Sequence, residues 1–300
     1  MTIKIIHNPY SARWRSSKRW PEAEQALRTA GIDYDLTQTE GPGHAIELAA
    51  DAVLKGYPAI IAAGGDGTIG EVVNGIMQGA SGQKIPDFGV LPLGTANDLM
   101  CNLGLPLDLP SAVNVIASGK TRYLDLCQVN DRYFVNNAGL GLEPYTTTIQ
   151  EKIQVLRGII RYLVATIISI GHNPKWNVDL EWDGGEYHGP VTMVSISNGP
   201  QTGGVFYTVP HADLFDGKLS FVYGYVDSRF QMLSILPKVM KPDKGNYIEH
   251  PAIHEEHCTY LKVKIEPGSP AHTDGELFDR NINHLHYRLF PAKIPMLMGK

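Results

Sequence analysis

The sequence predicts an α/β plus β fold class, in which an α/β domain precedes a β-rich domain, and three observations support this. The chain has 300 residues, a length that usually makes two domains. Up to about residue 119, short apolar runs alternate with amphipathic helical segments, which predicts a parallel sheet with helices on both faces. After about residue 122, short strand-like segments separated by Gly, Asn and Asp turns dominate, as in antiparallel sandwiches and barrels. We therefore expect a domain boundary at about 122–128.

The first half reads as strand–helix pairs, and ligands are expected at the carboxyl ends of its strands. The strand-like runs end in turn signals such as Asn8-Pro9, and the helical segments place apolar residues on one face. The predicted strands span 3–7, 33–37, 57–61 and 88–91, and the predicted helices span 18–28, 43–55, 68–79 and 111–117.

The second half contains one helical stretch among its predicted strands, which span 124–129, 133–136, 176–181, 191–197, 219–225, 260–265 and 285–289. This helix, from about 148 to 170, is apolar on most sides, and two interpretations remain open. It packs against the sandwich, or it lies on a membrane with Lys152, Arg157 and Arg161 facing anionic headgroups.

A glycine-rich turn with one carboxylate joins the third predicted strand to its helix. Gly64, Gly65 and Gly67 surround Asp66 in the segment AAGGDGTIGEVVNGIM. Glycines allow close approach to the main chain, and free amides at a helix start bind anions, most often phosphate. A carboxylate beside phosphate repels it unless a cation lies between them, so Asp66 suggests bound magnesium. The alternative is a tight turn without a ligand, because Gly-rich turns are common between strands and helices. The spacing is not that of a P-loop, since no Gly-Lys-Ser/Thr follows.

A second loop repeats this pattern after the fourth predicted strand. Gly94-Thr95-Ala96-Asn97-Asp98 contains a Gly-Thr pair and then a helix that opens with a carboxylate. Parallel strands bring both loops to the same edge of the sheet, so we expect Asp66 and Asp98 to face one cavity. The alternative for Asp98 is a first-turn acid favoured by the helix dipole. In the first loop, Thr68 followed by Glu71 fits a capping box, which predicts a helix that begins at Thr68.

Composition and charge argue against several classes of protein. A net charge of -5 gives no broad basic excess, so nucleic acid is not an expected partner. Cys101, Cys127 and Cys258 lie far apart without metal-like spacing, which suits a reducing cytosol. No signal-peptide pattern is found, and the apolar run 155–170 is too short to span a bilayer comfortably. We therefore expect a cytoplasmic protein.

Three histidines could suggest zinc, because His250, His254 and His257 would share one face of a helix. Pro251 lies inside the run and argues against a helix there. We interpret them as ordinary solvated histidines.

The segments GGDGTIGEVVNGI and PLGTANDL together resemble the diacylglycerol kinase catalytic-domain family, the bacterial lipid kinases (YegS-like and diacylglycerol kinases) grouped with sphingosine and ceramide kinases. Weaker matches follow the family order at 8–9, 136–141, 213–217 and 274–276, so the resemblance covers nearly the whole chain. It implies a Rossmann-like (NAD kinase/diacylglycerol kinase-like) nucleotide domain at 1–125 and a β-sandwich lipid-substrate domain at 126–289. It also implies a C-terminal tail, at about 290–300, that returns to the first domain.

The reaction implied by this resemblance transfers the γ-phosphate of ATP to a hydroxyl of a membrane lipid such as diacylglycerol, with Mg²⁺ as cofactor. Asp274 is then the general base, supported by Glu276, while Asp66 and Asp98 organise magnesium. The residues implied to bind ATP are Asn8, Gly64, Gly65, Gly67, Thr68, Glu71, Gly94, Thr95 and Asn97. Read without the resemblance, Asp274-Gly275 predicts a hairpin turn. The expected partner is a lipid at the membrane surface, with peripheral membrane contact, and a homodimer is left open.

The sequence departs from the family pattern at two places. Ser11-Ala12 stands where Ser-Gly is common. Ser220 stands where bacterial members often have an Asp that helps to hold a structural metal, so Asp213 and Asp216 are doubtful ligands of such a metal. A basic cluster follows Ala12 and either neutralises phosphate or forms a solvated helix face; its members are Arg13, Arg15, Lys18 and Arg19.

Two other functions compete with a lipid kinase. NAD kinases share the Gly-Gly-Asp-Gly-Thr loop and a similar two-domain plan, but they carry a different second motif. A catalytically silent nucleotide or lipid sensor is the rival from another class. Such a sensor is expected to have lost a carboxylate, yet Asp66, Asp98 and Asp274 are all present.

Overall fold

The computed structural model describes residues 2–153, 155–156, 158–240 and 247–299. Arg157, one of the basic residues of the predicted membrane-facing helix, lies outside them. In the first half, strands and helices alternate. They are β1 (Ile3–His7), α1 (Ser11–Thr29), β2 (Tyr34–Gln38), α2 (His44–Leu54), β3 (Ala59–Gly64), α3 (Asp66–Gly79), β4 (Asp87–Pro92), α4 (Asp98–Asn102) and α5 (Leu109–Ser118).

The strands of this half form a parallel sheet in the order β2-β1-β3-β4. Every residue of β3 is buried, as expected for a strand with helices on both faces. The small side chains of α2, Ala45, Ala49 and Ala52, are buried in the same core as Ile60 and Ile61 of β3. The carboxyl ends of β3 and β4 lie side by side, because Gly64 pairs with Pro92.

The second half is built mainly from antiparallel strands. Its elements are β5 (Thr121–Val129), β6 (Arg132–Phe134), β7 (Asn137–Gly141), α6 (Leu142–Lys152), α7 (Gly158–His172), β8 (Trp176–Trp182), β9 (Gly185–Val191), β10 (Met193–Ser197), β11 (Leu219–Gly224), α8 (Arg229–Val239), β12 (Ile253–Cys258), β13 (Tyr260–Thr273) and β14 (Glu276–Leu297). Buried and exposed residues alternate strictly along β8. Its buried residues join Phe134, Phe221 and Tyr287 in a second core. The predicted α/β plus β fold class is therefore confirmed.

Strand β14 connects the two halves. It pairs along its length with β13 and β5, and near its end Met296 pairs in parallel with Phe88 of β4. Ile294, Met296 and Leu297 belong to the core of the first half. Because one sheet runs through both halves, the boundaries predicted at 125 and 289 remain predictions.

Several predicted elements differ from the structure. The single helix predicted over 148–170 is wrong, because the backbone becomes extended at Ile153 (φ -88°, ψ 102°) and separates α6 from α7. The predicted capping box is also wrong: α3 begins at Asp66, with Gly65 as its N-cap, and Glu71 caps another helix. Helix α1 begins at Ser11 rather than near 18, and a kink at Ala12, Arg13 and Trp14, which have positive φ values, interrupts its first turn. Elements β7, β9, β12 and α8 were not predicted.

Candidate active site

The two acidic loops meet at the carboxyl ends of β3 and β4. Asp66 and Asp98 are the first residues of α3 and α4, so each carboxylate stands at a helix N-terminus. Gly65 and Gly94 lie against each other, and a Cβ on Gly65 would be 3.1 Å from the Gly94 Cα. Only residues without side chains allow this approach. The expectation that both loops reach one edge of the sheet is met.

The residues around the first loop form a hydroxyl-rich turn. Asn8 follows β1, and its amide nitrogen donates to Thr68 Oγ1 at 3.0 Å. Ser11 Oγ lies 3.3 Å from the same oxygen. The adjacent Ala12 has a φ of 51°, in the left-handed region that favours glycine. This is the position at which the family commonly has Gly, so the backbone keeps a shape that suits glycine better than alanine.

Both acids of this half have raised pKa values. Burial raises the pKa of Asp66, against backbone N–H groups, including that of Leu99, that lower it. Burial and the charge of Asp66 raise the pKa of Asp98 to about 7. Close, desolvated carboxylates favour a proton or a cation between them.

Asp98 also connects the two halves of the protein. Its two carboxylate oxygens accept hydrogen bonds from the backbone N–H groups of Gly203 and Gly204, each at 2.7 Å. Asn102 of α4 adds to this contact, because its side chain donates to Gln201 O and accepts from Gln201 N. The segment after β10 is therefore fastened to α4.

Asp274 reaches the same site from the second half. It occupies the tip of the β13–β14 hairpin with Gly275, and both have positive φ values, 47° and 81°. Its Oδ1 accepts from the backbone N–H groups of Asn136 and Asn137 at 3.0 Å, and its Oδ2 accepts from Val135 N at 3.2 Å. The hairpin reading of Asp274-Gly275 is therefore correct, and the tight turn also aims a carboxylate inward.

The pKa of Asp274 is coupled to the charges of the two acidic loops. Burial is the main cause that raises its pKa to about 6, and the charge of Asp66 raises it further, while the backbone N–H groups lower it. The charge of Asp274 in turn raises the pKa of Asp98. A Cβ on Gly70 of α3 would lie 3.3 Å from Asp274 Oδ2. The structure thus brings the predicted acids Asp66, Asp98 and Asp274 together.

Glu276 is more exposed than Asp274. Its carboxylate lies beside Arg132 at 3.5 Å and against Gly67, where an added side chain would overlap it. It therefore borders the glycine loop.

Two residues predicted to bind nucleotide, Glu71 and Asn97, accept hydrogen bonds from backbone N–H groups of the protein. Glu71 accepts from the backbone N–H groups of Gly43 at 2.7 Å and Ala45 at 3.2 Å, so it caps α2. Asn97 is buried with a φ of 55°, and its Oδ1 accepts from Gly94 N at 3.1 Å. Both roles are structural, and contact with a nucleotide remains a prediction.

The residues considered for a structural metal lie in an exposed turn. Asp213 Oδ1 accepts from Phe215 N at 3.0 Å, and Asp216 Oδ1 accepts from Lys218 N at 2.9 Å. Ser220 is buried and bonds to His257 Nδ1 at 2.7 Å. Across the described part of the chain, no three His, Cys, Asp or Glu side chains cluster closely enough to hold a metal by themselves. A structural metal at Asp213 and Asp216 stays a prediction.

A cavity of about 1300 Å³ opens beside the three acids. Its polar lining includes Asp66, Thr95, Asp98 and Asp274, together with Arg13 and Arg15 of α1. Its apolar lining comes from the β-rich half and from α7 and α8, and includes Leu142, Ile170, Phe206, Val222, Met232, Ile235, Leu236 and Val239. The carboxylates therefore share one cavity with a large apolar surface.

Sequence reasoning missed some residues of this region. His272 is a buried and Glu143 a partly buried polar residue of the cavity wall, and Gly203 and Gly204 bind Asp98. Asp125 is buried as well, and its carboxylate accepts from Gly217 N and Ala292 N, each at 2.7 Å. A usable signal existed only for His272, which lies near the end of β13, two residues before Asp274 in the chain.

Comparison with known proteins identifies the family. Residues 2–129 match the diacylglycerol kinase catalytic domain, and residues 137–297 match the YegS C-terminal NAD kinase beta sandwich-like domain. The diacylglycerol kinase of Bacillus subtilis is 30% identical over 275 residues, which cover 91% of this chain and 89% of that protein. The diacylglycerol kinase of Staphylococcus carnosus is 28% identical over 274 residues, 91% of this chain and 88% of that protein.

A solved structure shares the fold. The crystal structure of a diacylglycerol kinase from Bacillus anthracis superposes with a TM-score of 0.78 at 22% identity, and the match covers 99% of this chain and 96% of that one. Along the described ranges, no helix is both long and apolar enough to cross a membrane. The chain belongs to the diacylglycerol kinase family and is a lipid kinase, a phosphotransferase with an alcohol group as acceptor.

Proposed function

We propose that this protein transfers the γ-phosphate of ATP to a hydroxyl of a membrane lipid such as diacylglycerol, in a magnesium-dependent reaction. One observation carries the proposal. The carboxylate of Asp274 faces the same cavity as the two glycine-rich acidic loops, and that cavity continues along apolar side chains. A lipid acceptor needs this combination, because its hydroxyl must meet a phosphate while its chains stay out of water.

The nucleotide phosphates bind at the loops after β3 and β4. The start of α3 offers backbone N–H groups in a turn of small residues, Gly64, Gly65 and Gly67, whereas Leu99 N at the start of α4 already donates to Asp66 Oδ1 at 3.4 Å. Thr68, Thr95 and Asn8 supply further polar groups nearby. Arg13 and Arg15 of the cavity lining are suited to offset phosphate charge.

The donor set fits a magnesium ion. Asp66 and Asp98 are desolvated carboxylates, and the charge of Asp66 further raises the pKa of Asp98. Magnesium is usually bound by one or two carboxylates, water and substrate phosphates, so a pair of acids suffices. Held by Asp66 and Asp98, directly or through water, Mg²⁺ would neutralise charge on the phosphates of ATP.

Asp274 acts as the general base. It takes the proton of the lipid hydroxyl while the oxygen forms a bond to the γ-phosphorus and the bond to ADP breaks. A pKa of about 6 keeps this carboxyl mostly ionised at neutral pH and still basic enough to accept a proton. Three backbone N–H groups fix its orientation. Glu276 follows Gly275 in the chain, and its carboxylate lies against Gly67, so it supports the site from the side of the glycine loop.

We further propose that the outer faces of α7 and α8 contact the membrane. Ile160 and Ile167 of α7 are 60% and 51% exposed, and Phe230 of α8 is 86% exposed. The opposite faces of both helices line the cavity, so these apolar side chains lie beside the space proposed for the lipid chains. The occupant of this surface is a lipid bilayer, because the substrate must enter from one. The protein is then cytoplasmic and peripherally associated with the membrane, and its assembly as a homodimer remains a prediction.

Sedimentation with phosphatidylglycerol-containing vesicles tests this contact. We expect Phe230→Glu to lower the bound fraction severalfold, because a charge replaces an exposed apolar ring at the interface. Tyr123→Glu, at a side chain that is also exposed but outside the cavity lining, serves as the control. Equal binding of both variants and the unchanged protein would contradict the assignment.

Radiolabelled ATP tests the function as a whole. The protein is incubated with a total lipid extract, with dioctanoylglycerol, or with NAD, each with Mg²⁺ or with excess EDTA. We expect label in lipid, dependent on Mg²⁺ and restored when Mg²⁺ is added back. Label on NAD instead would assign an NAD kinase, and ATP binding without any turnover would assign a sensor.

A further inference from the structure

Two asparagine side chains join the halves of the protein across their interface. Asn74 of α3 accepts a hydrogen bond from Tyr133 N at 2.9 Å and donates one to Tyr133 O at 2.8 Å. Asn102 of α4 accepts from Gln201 N at 3.0 Å and donates to Gln201 O at 2.9 Å. Each amide therefore binds both backbone groups of one residue in the second half, as the facing residue of a neighbouring strand would. We call these two contacts the asparagine clamps.

The asparagine clamps satisfy backbone groups that have no strand beside them. Among the described residues, β6, which contains Tyr133, pairs with β5 alone, so its other edge is open to Asn74. Gln201 lies after the end of β10, outside the strands. A buried backbone group without a partner is unfavourable, and an amide side chain carries both the acceptor and the donor that such a residue needs. Both positions therefore require an amide.

The clamp at Asn102 fixes the loop that binds Asp98. The backbone N–H groups of Gly203 and Gly204 each donate to one oxygen of Asp98. Gln201 lies two residues before this glycine pair, and Asn102 lies four residues after Asp98 on the same face of α4. This face holds the loop by four hydrogen bonds. Because a carboxylate oxygen can accept two hydrogen bonds, Asp98 keeps acceptor sites for a ligand in the cavity.

The clamp at Asn74 fixes the strand that leads to the groups binding Asp274. Tyr133 lies two residues before the segment 135–137, whose three backbone N–H groups donate to Asp274. Asn74 Nδ2 also donates to Gly70 O at 2.8 Å, and a Cβ on Gly70 would lie 3.3 Å from Asp274 Oδ2. The same turn of α3 therefore contacts both the proposed base and the strand that orients it.

We propose that Asn74 and Asn102 are positioning residues, each of which fixes one acid of the reaction across the interface. Asn102 acts on Asp98 through the glycine pair, and Asn74 acts on Asp274 through the segment 135–137. This inference rests on the proposed function, in which Asp98 helps to hold the magnesium of ATP and Asp274 removes the proton. The clamp at Asn102 then serves nucleotide binding, and the clamp at Asn74 serves phosphate transfer.

Alanine at each position separates these effects. Asn102→Ala should weaken ATP binding in Mg²⁺ by about tenfold, measured by equilibrium dialysis, because partners that orient a metal ligand typically contribute that much. Its ATP binding in excess EDTA should stay within about twofold, since Asp98 acts through the ion. Asn74→Ala should keep both binding constants within about twofold. Its kcat with dioctanoylglycerol should fall by about 10- to 100-fold, because a displaced base reacts poorly.

Each variant is the matched control of the other, since both lose two hydrogen bonds to the backbone of the second half. Asn102 Nδ2 also donates to the side chain of Asn136, whose backbone N–H binds Asp274, so Asn102→Ala is expected to lower kcat as well. The dependence of ATP binding on Mg²⁺ is therefore the readout that separates the two clamps. Both variants should lose a similar part of their stability in urea. Serine keeps one polar atom at either position, so Asn74→Ser and Asn102→Ser give the same comparison if an alanine variant fails to fold.

The pattern of effects decides the proposal. A change of ATP binding in both variants or in neither, or equal weakening by Asn102→Ala in Mg²⁺ and in EDTA, would overturn the action of Asn102 on Asp98. An undiminished kcat in Asn74→Ala would overturn its action on Asp274. Turnover of no lipid by the unchanged protein would count against the proposed function instead, and dialysis of Asn102→Ala would still test its clamp.

Discussion

The acids of the two halves reach one site by different routes. Asp66 and Asp98 lie two and six residues after the ends of the parallel strands β3 and β4, so local sequence and the order of the strands determine where they lie. Asp274 lies at a hairpin tip, and the backbone groups that bind its carboxylate are 137 to 139 residues away in the chain. The first pair depends on local structure, and the third acid depends on long-range packing.

The proposed chemical roles of the acids follow the same division. The loop acids stand at helix N-termini, which favour phosphate, and we propose that this pair holds the magnesium ion. Asp274 is held by three N–H groups in a buried setting that makes it more basic than an ordinary aspartate. We therefore expect changes at the hairpin to affect proton transfer with ATP binding retained.

The largest effect is expected for Asp274→Asn. The amide keeps the shape of the side chain but cannot take the proton, and loss of a general base typically costs about 10²- to 10⁴-fold in rate. We expect kcat to fall in this range, while ATP affinity, measured by equilibrium dialysis, stays within about threefold because the phosphate loops are unchanged.

Asp131→Asn is the matched control, since Asp131 is an exposed turn residue of the same half. Its rate should equal that of the unchanged protein. A near-normal kcat for Asp274→Asn would remove this residue as the base and would leave the loop acids as the centre of the reaction.

A smaller, graded effect is expected from pH. Burial raises the pKa of Asp274 to about 6, and only the ionised carboxylate can accept a proton. With saturating Mg²⁺ and ATP, kcat should therefore be constant above about pH 7 and should fall as pH decreases through 6. The limiting slope for one such group is about tenfold per pH unit.

The profile of the residual activity of Asp274→Asn identifies the titrating group. That variant should lose the limb near pH 6, because its amide does not titrate in this range. If the same limb persists, it belongs to another group, such as Asp98, whose pKa is raised to about 7.

The contrast between the two halves also explains what could be predicted from the sequence. The alternation of strands and helices and both acidic loops were predictable, because each is local to about ten residues. Strand β7 was not, since its residues include Gly139 and Gly141 and its burial comes from β10 and β13 on either side. The break between α6 and α7 was also missed, because the apolar pattern continues where the backbone leaves the helix at Ile153.

The residues of the site were likewise predictable only where a local sequence pattern marked them. Asp274 was assigned only through the resemblance to a family, because Asp-Gly by itself indicates a turn. The partners of Asp98 and the pair of Glu143 and His272 depend on contacts between distant segments, and no local pattern reports those. Glu71 shows the opposite error, in which a local pattern indicated a cap for α3 although the carboxylate caps α2.

The smallest effect is expected for Glu71→Ala, which tests whether this residue of α3 stabilises α2 or binds the nucleotide. Removing the cap leaves Gly43 N and Ala45 N unpartnered, so we expect a loss of about 1 kcal/mol in the free energy of unfolding in urea. The KM for ATP should change by less than about twofold, because the side chain is already bound to α2. Glu47→Ala, an exposed first-turn acid of α2, is the control and should cost only a few tenths of a kcal/mol. A tenfold rise in the KM for ATP with an unchanged free energy of unfolding would instead make Glu71 a nucleotide ligand and would contradict its role as the cap of α2.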